Sequence, residues 1–450
     1  MKNTEKYSLT ILIIIFLLPI DNFALGAELF REFGGRPFNL FISGLIIFSI
    51  IASRDIISNR SLYRWQINFF IILIVGVYFS SLQFLINIKS LDLLIIGPRP
   101  PLFSYITQLG LMFSSVVFLV YLNYYFSLKI ENILILIKKY FFIVAFLHMI
   151  VFLFDFFAIQ GWSIVFIDQF ITSVRGVPLG WRPTGLMTEP AHWGAFVSFV
   201  WPILWFKYNE KENLSYKYLS KILVIILIFA SITTSSRTFL IIFAIQISFF
   251  LFIMKLPKSL IIIKALLITV FIFGASILIT MFSDVFNVNE SLSSAARLGS
   301  TLAAMDIASD YFLTGIGIGQ FHYYLSQYAV SIITDLPELQ DILTGNAISR
   351  ASTFNFYIRL IVELGLVGFF AFMYIIGKSV SGYRILFKAD NENYTGVILS
   401  LVGAMSFWLT QDSFLYSPAI FFIALGLAFR EKIADVRYSR SLIQFRLRHV

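Results

Sequence analysis

Phe69-Phe70-Ile71-Ile72-Leu73-Ile74-Val75-Gly76-Val77 lies inside an uncharged stretch that runs from residue 67 to residue 87. As a helix, at about 1.5 Å per residue, such a stretch is roughly 30 Å long, the thickness of a bilayer's hydrocarbon core. The same texture recurs at Ile11–Leu18 and Ile222–Ala230. A composition of 58% hydrophobic and 13% charged residues, with mean hydropathy +0.85, has no place in an ordinary soluble domain. The expected fold is therefore all-α and polytopic, a single transmembrane domain over 1–450. Twelve spans are read at 8–25, 38–53, 67–87, 102–126, 140–159, 186–206, 219–234, 238–254, 260–282, 353–376, 394–412 and 414–429.

Charge orients this map. With the N-terminus inside, the inner segments hold 24 of the 34 Lys and Arg residues but only nine of the 25 Asp and Glu residues. A cytoplasmic excess of Lys and Arg is the expected topology signal. Both termini are thus expected in the cytoplasm, and the +9 net charge reads as topology, with no nucleic-acid partner. The first apolar run could also be a signal peptide cleaved near Ala24-Leu25-Gly26. An uncleaved span is favoured, because Pro19 and Asp21 break the apolar core. The absence of cysteine excludes disulfides and thiol ligands.

The one large extramembrane element is a loop over 283–351 on the outer side. Ala295, Leu298, Leu302, Met305, Ser309 and Phe312 recur at helical spacing, with Arg297, Thr301 and Asp306 elsewhere on the wheel. They predict an amphipathic helix lying over the outer face as a lid, broken by Gly315, Gly317 and Gly319. An acidic stretch follows at 335–341, and the basic tail 430–450 reads as a cytoplasmic surface segment.

Charges among apolar helices are costly unless used. Arg175, Arg182, Glu189 and His192 gather where the sixth span begins, on the outer side. Pro190 suits the first turn of that helix, which would aim its unpaired amides outward. Glu189 and His192 are three apart and share a face. Arginine binds two phosphate oxygens with a planar fork that stays charged. The bland alternative is interfacial anchoring, with Trp181 and Trp193 in an aromatic belt. Arg237 lies in the polar turn Thr233–Thr238 at the end of a seventh span short of bilayer length, either in a polar notch or in a hairpin capped by Ser and Thr. Arg359 with Glu363, one turn apart, reads first as a structural ion pair, with Arg359 also able to reach a ligand. Arg297 and an exposed His322 complete the candidates. Together the arginines imply an anionic substrate approached from outside. Four scattered histidines offer little for a metal, and no cofactor is expected. Gly377-Lys378-Ser379 lacks the upstream glycine of a phosphate loop.

Four segments resemble the O-antigen polymerase and ligase superfamily: Arg182-Pro-Thr-Gly-Leu-Met-Thr-Glu-Pro-Ala, Thr234-Ser-Ser-Arg-Thr, Arg297 through Tyr311-Phe-Leu-Thr-Gly-Ile-Gly-Ile-Gly-Gln-Phe, and Phe354-Asn-Phe-Tyr through Glu363-Leu-Gly-Leu-Val-Gly. Their order over about residues 170–376, with the spans and the outer loop, carries the resemblance. It implies a Wzy-type polymerase of a bacterial inner membrane, acting at the periplasmic face. Its substrates would be undecaprenyl pyrophosphate-linked oligosaccharides, with membrane lipid and a chain-length regulator protein as further partners. On this resemblance the outer arginines bind pyrophosphate without a metal, and Glu189, with His192 second, serves as base or as orienter of the acceptor hydroxyl. Two departures stand out. Ligases commonly carry a His before the Asn of the last segment, where this chain has Phe354, and neither Arg175 nor Arg182 matches the Arg-x10-Gly loop of some polymerases. The alternatives are an O-antigen ligase and, in a different class, a lipid-linked oligosaccharide flippase; a transporter would be expected to show internal repeats and midplane charges.

Overall fold

A computed structural model describes residues 12–18, 64–92, 100–128, 133–162, 164–175, 182–206, 208, 213–253, 292–328, 352–389, 391–411, 413 and 416–447. The labelled helices are α1 (Arg64–Asp92), α2 (Pro101–Leu128), α3 (Ile133–Ile159), α4 (Val165–Arg175), α5 (Pro190–Trp205), α6 (Leu214–Thr233), α7 (Arg237–Ile253), α8 (Leu292–Asp310), α9 (Phe321–Tyr328), α10 (Phe356–Ala389), α11 (Asn391–Phe407) and α12 (Ser417–Leu447). No strand occurs among the described residues. Nine of these helices coincide with expected spans; α4, α8 and α9 do not. The expected spans 38–53 and 260–282, most of 8–25 and the acidic stretch 335–341 lie outside the described residues.

Among the described residues, five helices are long and apolar enough to cross a membrane, at 65–88, 101–127, 133–159, 214–233 and 356–384. Their outward faces are as apolar as their inward ones: Ile71, Ile74, Ile86, Ile225 and Phe229 are all exposed. A helix apolar all round is stable only in an apolar surround, so the fold is that of an all-α polytopic membrane protein.

The bundle has two lobes. In one, α10 packs on α1 and α12, and α12 on α2; in the other, α5 packs on α6, α7 and α11. Gln246 ties the second lobe together. Its amide donates to the carbonyls of Ser198 and Leu399, both at 2.7 Å, and its Oε1 accepts from Trp201 Nε1 at 3.0 Å. In a medium without water, such a closed network is the way a polar side chain can be buried.

Contacts between helix ends follow the expected alternation. Trp65 Nε1 and Asn123 Nδ2 donate to Glu431 Oε1 at 3.0 and 2.8 Å, and Lys138 Nζ donates to the Phe206 carbonyl at 2.9 Å. All these residues lie at expected inner ends. The tail differs from a simple surface segment at its start, because α12 runs on beyond the span and buries Glu431. A carboxylate with two donors from neighbouring helices is held inside the bundle.

Residues 292–328 form two helices, as the spacing predicts for the first, but the buried face is different. Ser300, Ala303, Ala304 and Ile307 are buried, while Leu302, Met305 and Phe312 are exposed. Small side chains let α8 approach α10 closely, which the larger stripe would prevent. The turn 311–320 then docks on a break in α10. Gly365 has φ 68° and interrupts the helix, Ile316 N and Gly317 N donate to the carbonyls of Val362 and Glu363 at 2.8 and 3.2 Å, and Leu366 N donates to Phe312 O at 2.8 Å. A Cβ at Gly365 would run into the Leu313 carbonyl.

Candidate functional site

Asp155, near the end of α3, builds the first part of the site. Its Oδ2 accepts from the backbone amides of Thr184 and Gly185 at 2.6 and 2.9 Å, and Thr184 Oγ1 donates to Met187 O at 2.7 Å. Residues 183–187 are buried, so this turn is a fixed part of the bundle. It presents Arg182 half-buried on one side and leads to Glu189 on the other. Glu189 is the N-cap of α5 and Pro190 its first residue, as the sequence predicts. The Glu189 side chain makes no capping bond. It turns instead to Arg297 of α8, with Nη2 to Oε2 at 3.9 Å.

The turn between α6 and α7 places Arg237. Thr233 Oγ1 and Thr234 Oγ1 donate to the carbonyls of Ala230 and Ser231, both at 2.7 Å, and Ser236 Oγ accepts from Phe239 N at 3.3 Å. The hydroxyls therefore cap both helix ends, and that capping sets Arg237 at the start of α7. Gly194 of α5 lets Phe239 close in, since a Cβ there would collide with the Phe239 side chain. Arg182 and Arg297 both lie near enough to repel the Arg237 charge. Burial holds the Arg182 guanidinium below the ordinary arginine value. It remains a cation in any physiological range.

Three arginines from separate segments thus converge with Glu189 at one end of the bundle, where α5, α7 and α10 all begin. Helix N-termini favour anions, and the arginine forks suit planar oxyanions. Arg297 also lies over the Phe354 ring, 5.1 Å from its centroid. His192 is one turn along α5. Gln411 Nε2 donates to its Nε2 at 3.1 Å, its Nδ1 lies 3.4 Å from Thr188 Oγ1, and Phe407 meets it edge-on at 5.5 Å.

Other candidates are engaged elsewhere. Arg359 Nε donates to Glu363 at 2.9 Å and its Nη2 to Gln108 at 2.9 Å, the expected ion pair with a further anchor on α2. His322 is buried, against the expectation of an exposed ring, because α9 packs back on α8 and turns it inward against Tyr323. Arg175 closes α4, and its side chain lies outside the described residues.

Asp155, Gln411 and Gln108 escaped the sequence reading. Asp155 alone carried a signal, being a carboxylate in the apolar run Phe152–Ala158.

Residues 222–373 match the model of a family described as O-antigen ligase. The match takes in Arg237, Arg297, Phe354 and Arg359 and leaves out Arg182 to His192. It indicates a function of the O-antigen ligase or polymerase type, in envelope glycan synthesis, and does not divide the two. Among curated proteins none matches.

Proposed function

We propose that the chain is an O-antigen polymerase, transferring a growing glycan from undecaprenyl pyrophosphate onto an incoming lipid-linked repeat unit at the periplasmic face of the inner membrane. The observation that carries this reading is the convergence of Arg182, Arg237 and Arg297 with the carboxylate of Glu189. An acceptor sugar hydroxyl attacks the anomeric carbon of the donor. The new C–O bond forms as the bond to pyrophosphate breaks, and the electron pair leaves on a phosphate oxygen. Arginines aimed at that oxygen stabilise charge as it develops. Glu189 accepts the hydroxyl proton, and His192, oriented by Gln411 and Thr188, is placed to align the acceptor.

Deletion of the gene in an O-antigen-producing strain tests the class of reaction on a lipopolysaccharide gel. Core carrying one repeat is the expected result. Bare core with intact lipid-linked polymer would assign ligation instead, and bare core without that polymer would assign a flippase. With purified lipid-linked repeats, EDTA is expected to leave polymer formation intact, because the arginines supply the cationic charge. Loss on chelation, restored by magnesium or manganese, overturns that mechanism.

A further inference from the structure

Among the described residues only Ser235 and Phe354, apart from glycines, have positive φ, each 51°. Both lie beside an arginine of the cluster. A bulky side chain in the left-handed region is strained and persists only where the surroundings enforce it. Around Phe354 they do. Phe354 N donates to Ser352 Oγ at 3.1 Å, and Asn355 Oδ1 caps α10 by accepting from Tyr357 N and Ile358 N at 3.0 and 3.1 Å. Thr301, one turn along α8 from Arg297, donates to the carbonyls of Arg297 and Thr353 at 2.8 and 3.2 Å. That shared hydroxyl fixes the turn against the helix carrying Arg297.

Glycine or asparagine would take this turn without the penalty. Phe354 is only half-buried, so deep packing does not account for an aromatic ring here. Its geometry with Arg297 does. Arg297 is 37% exposed and Glu189 49%, and an ion pair of that exposure at 3.9 Å is worth little. The neighbouring Arg237 guanidinium repels that of Arg297. A ring face within about 6 Å attracts a cation and walls off its escape.

We propose that Phe354 is a positioning residue whose ring, held by a strained turn, keeps the Arg297 guanidinium beside Glu189 as part of an oxyanion-binding cluster; its role in polymerisation rests on the function proposed above.

The full-length protein in detergent is titrated with inorganic pyrophosphate, and polymer formation is assayed in parallel. Phe354→Gly relieves the backbone and removes the ring, so folding is kept while pyrophosphate affinity falls roughly three- to thirtyfold, the span of cation–π strengths. Phe354→Tyr restores most of the affinity; Phe354→Leu, apolar without a π face, does not. In an Arg297→Ala background Phe354→Gly has no further effect. An equal loss in both backgrounds, Leu performing as well as Tyr, or no pyrophosphate binding by the wild type overturns the inference. Coupling in the binding assay together with no polymer from the wild type leaves the inference standing and removes the polymerase reading. Polymer lost in Arg182→Ala but unaffected by Phe354→Gly does the reverse.

Discussion

A carboxylate inside an apolar helix must be answered, and Asp155 is answered by two backbone amides of the turn that aims Arg182 and Glu189. Asp155→Ala removes the acceptor and leaves two buried N–H groups short of one, at about 1–3 kcal/mol each, whereas Asp155→Asn keeps an oxygen that can serve both. With alanine the turn should open to limited proteolysis and polymer formation should fall steeply, while the helical circular dichroism stays unchanged. The arginines are expected to behave differently from Glu189. Arg182→Lys retains charge but loses the fork, and Arg182→Ala should cost about 2.7–4 kcal/mol of transition-state stabilisation, by analogy with an oxyanion donor. If the proposed mechanism holds, Glu189→Gln should bind the lipid-linked donor yet turn over poorly, since only the proposed proton acceptor is lost. Separate binding and turnover measurements on each variant check this; normal polymerisation by both Glu189→Gln and Arg182→Ala would reduce the cluster to an interfacial anchor. Arg182, Arg237 and Glu189 were legible in the sequence because charge is conspicuous in an apolar chain. The coupling of Arg297 to Phe354 was not, because it depends on a backbone angle that no local pattern announces.

Helices were legible where length and apolarity act together, and their faces were less so. The spacing from Ala295 to Phe312 correctly marks a helix, yet α8 buries Ser300, Ala303, Ala304 and Ile307. In water the largest apolar stripe goes inward. Against α10, closeness of approach decides, and the small residues of α8 win. Ala304→Leu should therefore overpack the contact and cost about 1–3 kcal/mol, whereas Met305→Ser, on the exposed face, should shift melting in detergent very little. A reversed order would restore the larger stripe as the buried face. The break at Gly365 was hidden because Glu363-Leu-Gly-Leu-Val-Gly reads as continuous span; only the docked turn 311–320 reveals why the helix stops there.

For the whole molecule, the alternating helix ends fit the charge-derived map, while the side that each end faces rests on the distribution of Lys and Arg. The chain has no cysteine, so single cysteines can be introduced without a background. A cysteine at position 212 should be blocked only by permeant reagents, and one at 330 by impermeant ones. Labelling of 330 from the cytoplasm would invert the map and move the proposed chemistry to the other side. The docking of residues 311–320 on α10 has one more consequence, for anyone who would recombine such proteins. Three main-chain hydrogen bonds stitch this segment into a span that is not helical without interruption. Neither piece is complete alone, so they should be inherited, exchanged and engineered as one unit. A chimera that imports 292–328 from a relative has to import residues 352–366 with it, or leave a broken helix with nothing to fill the break.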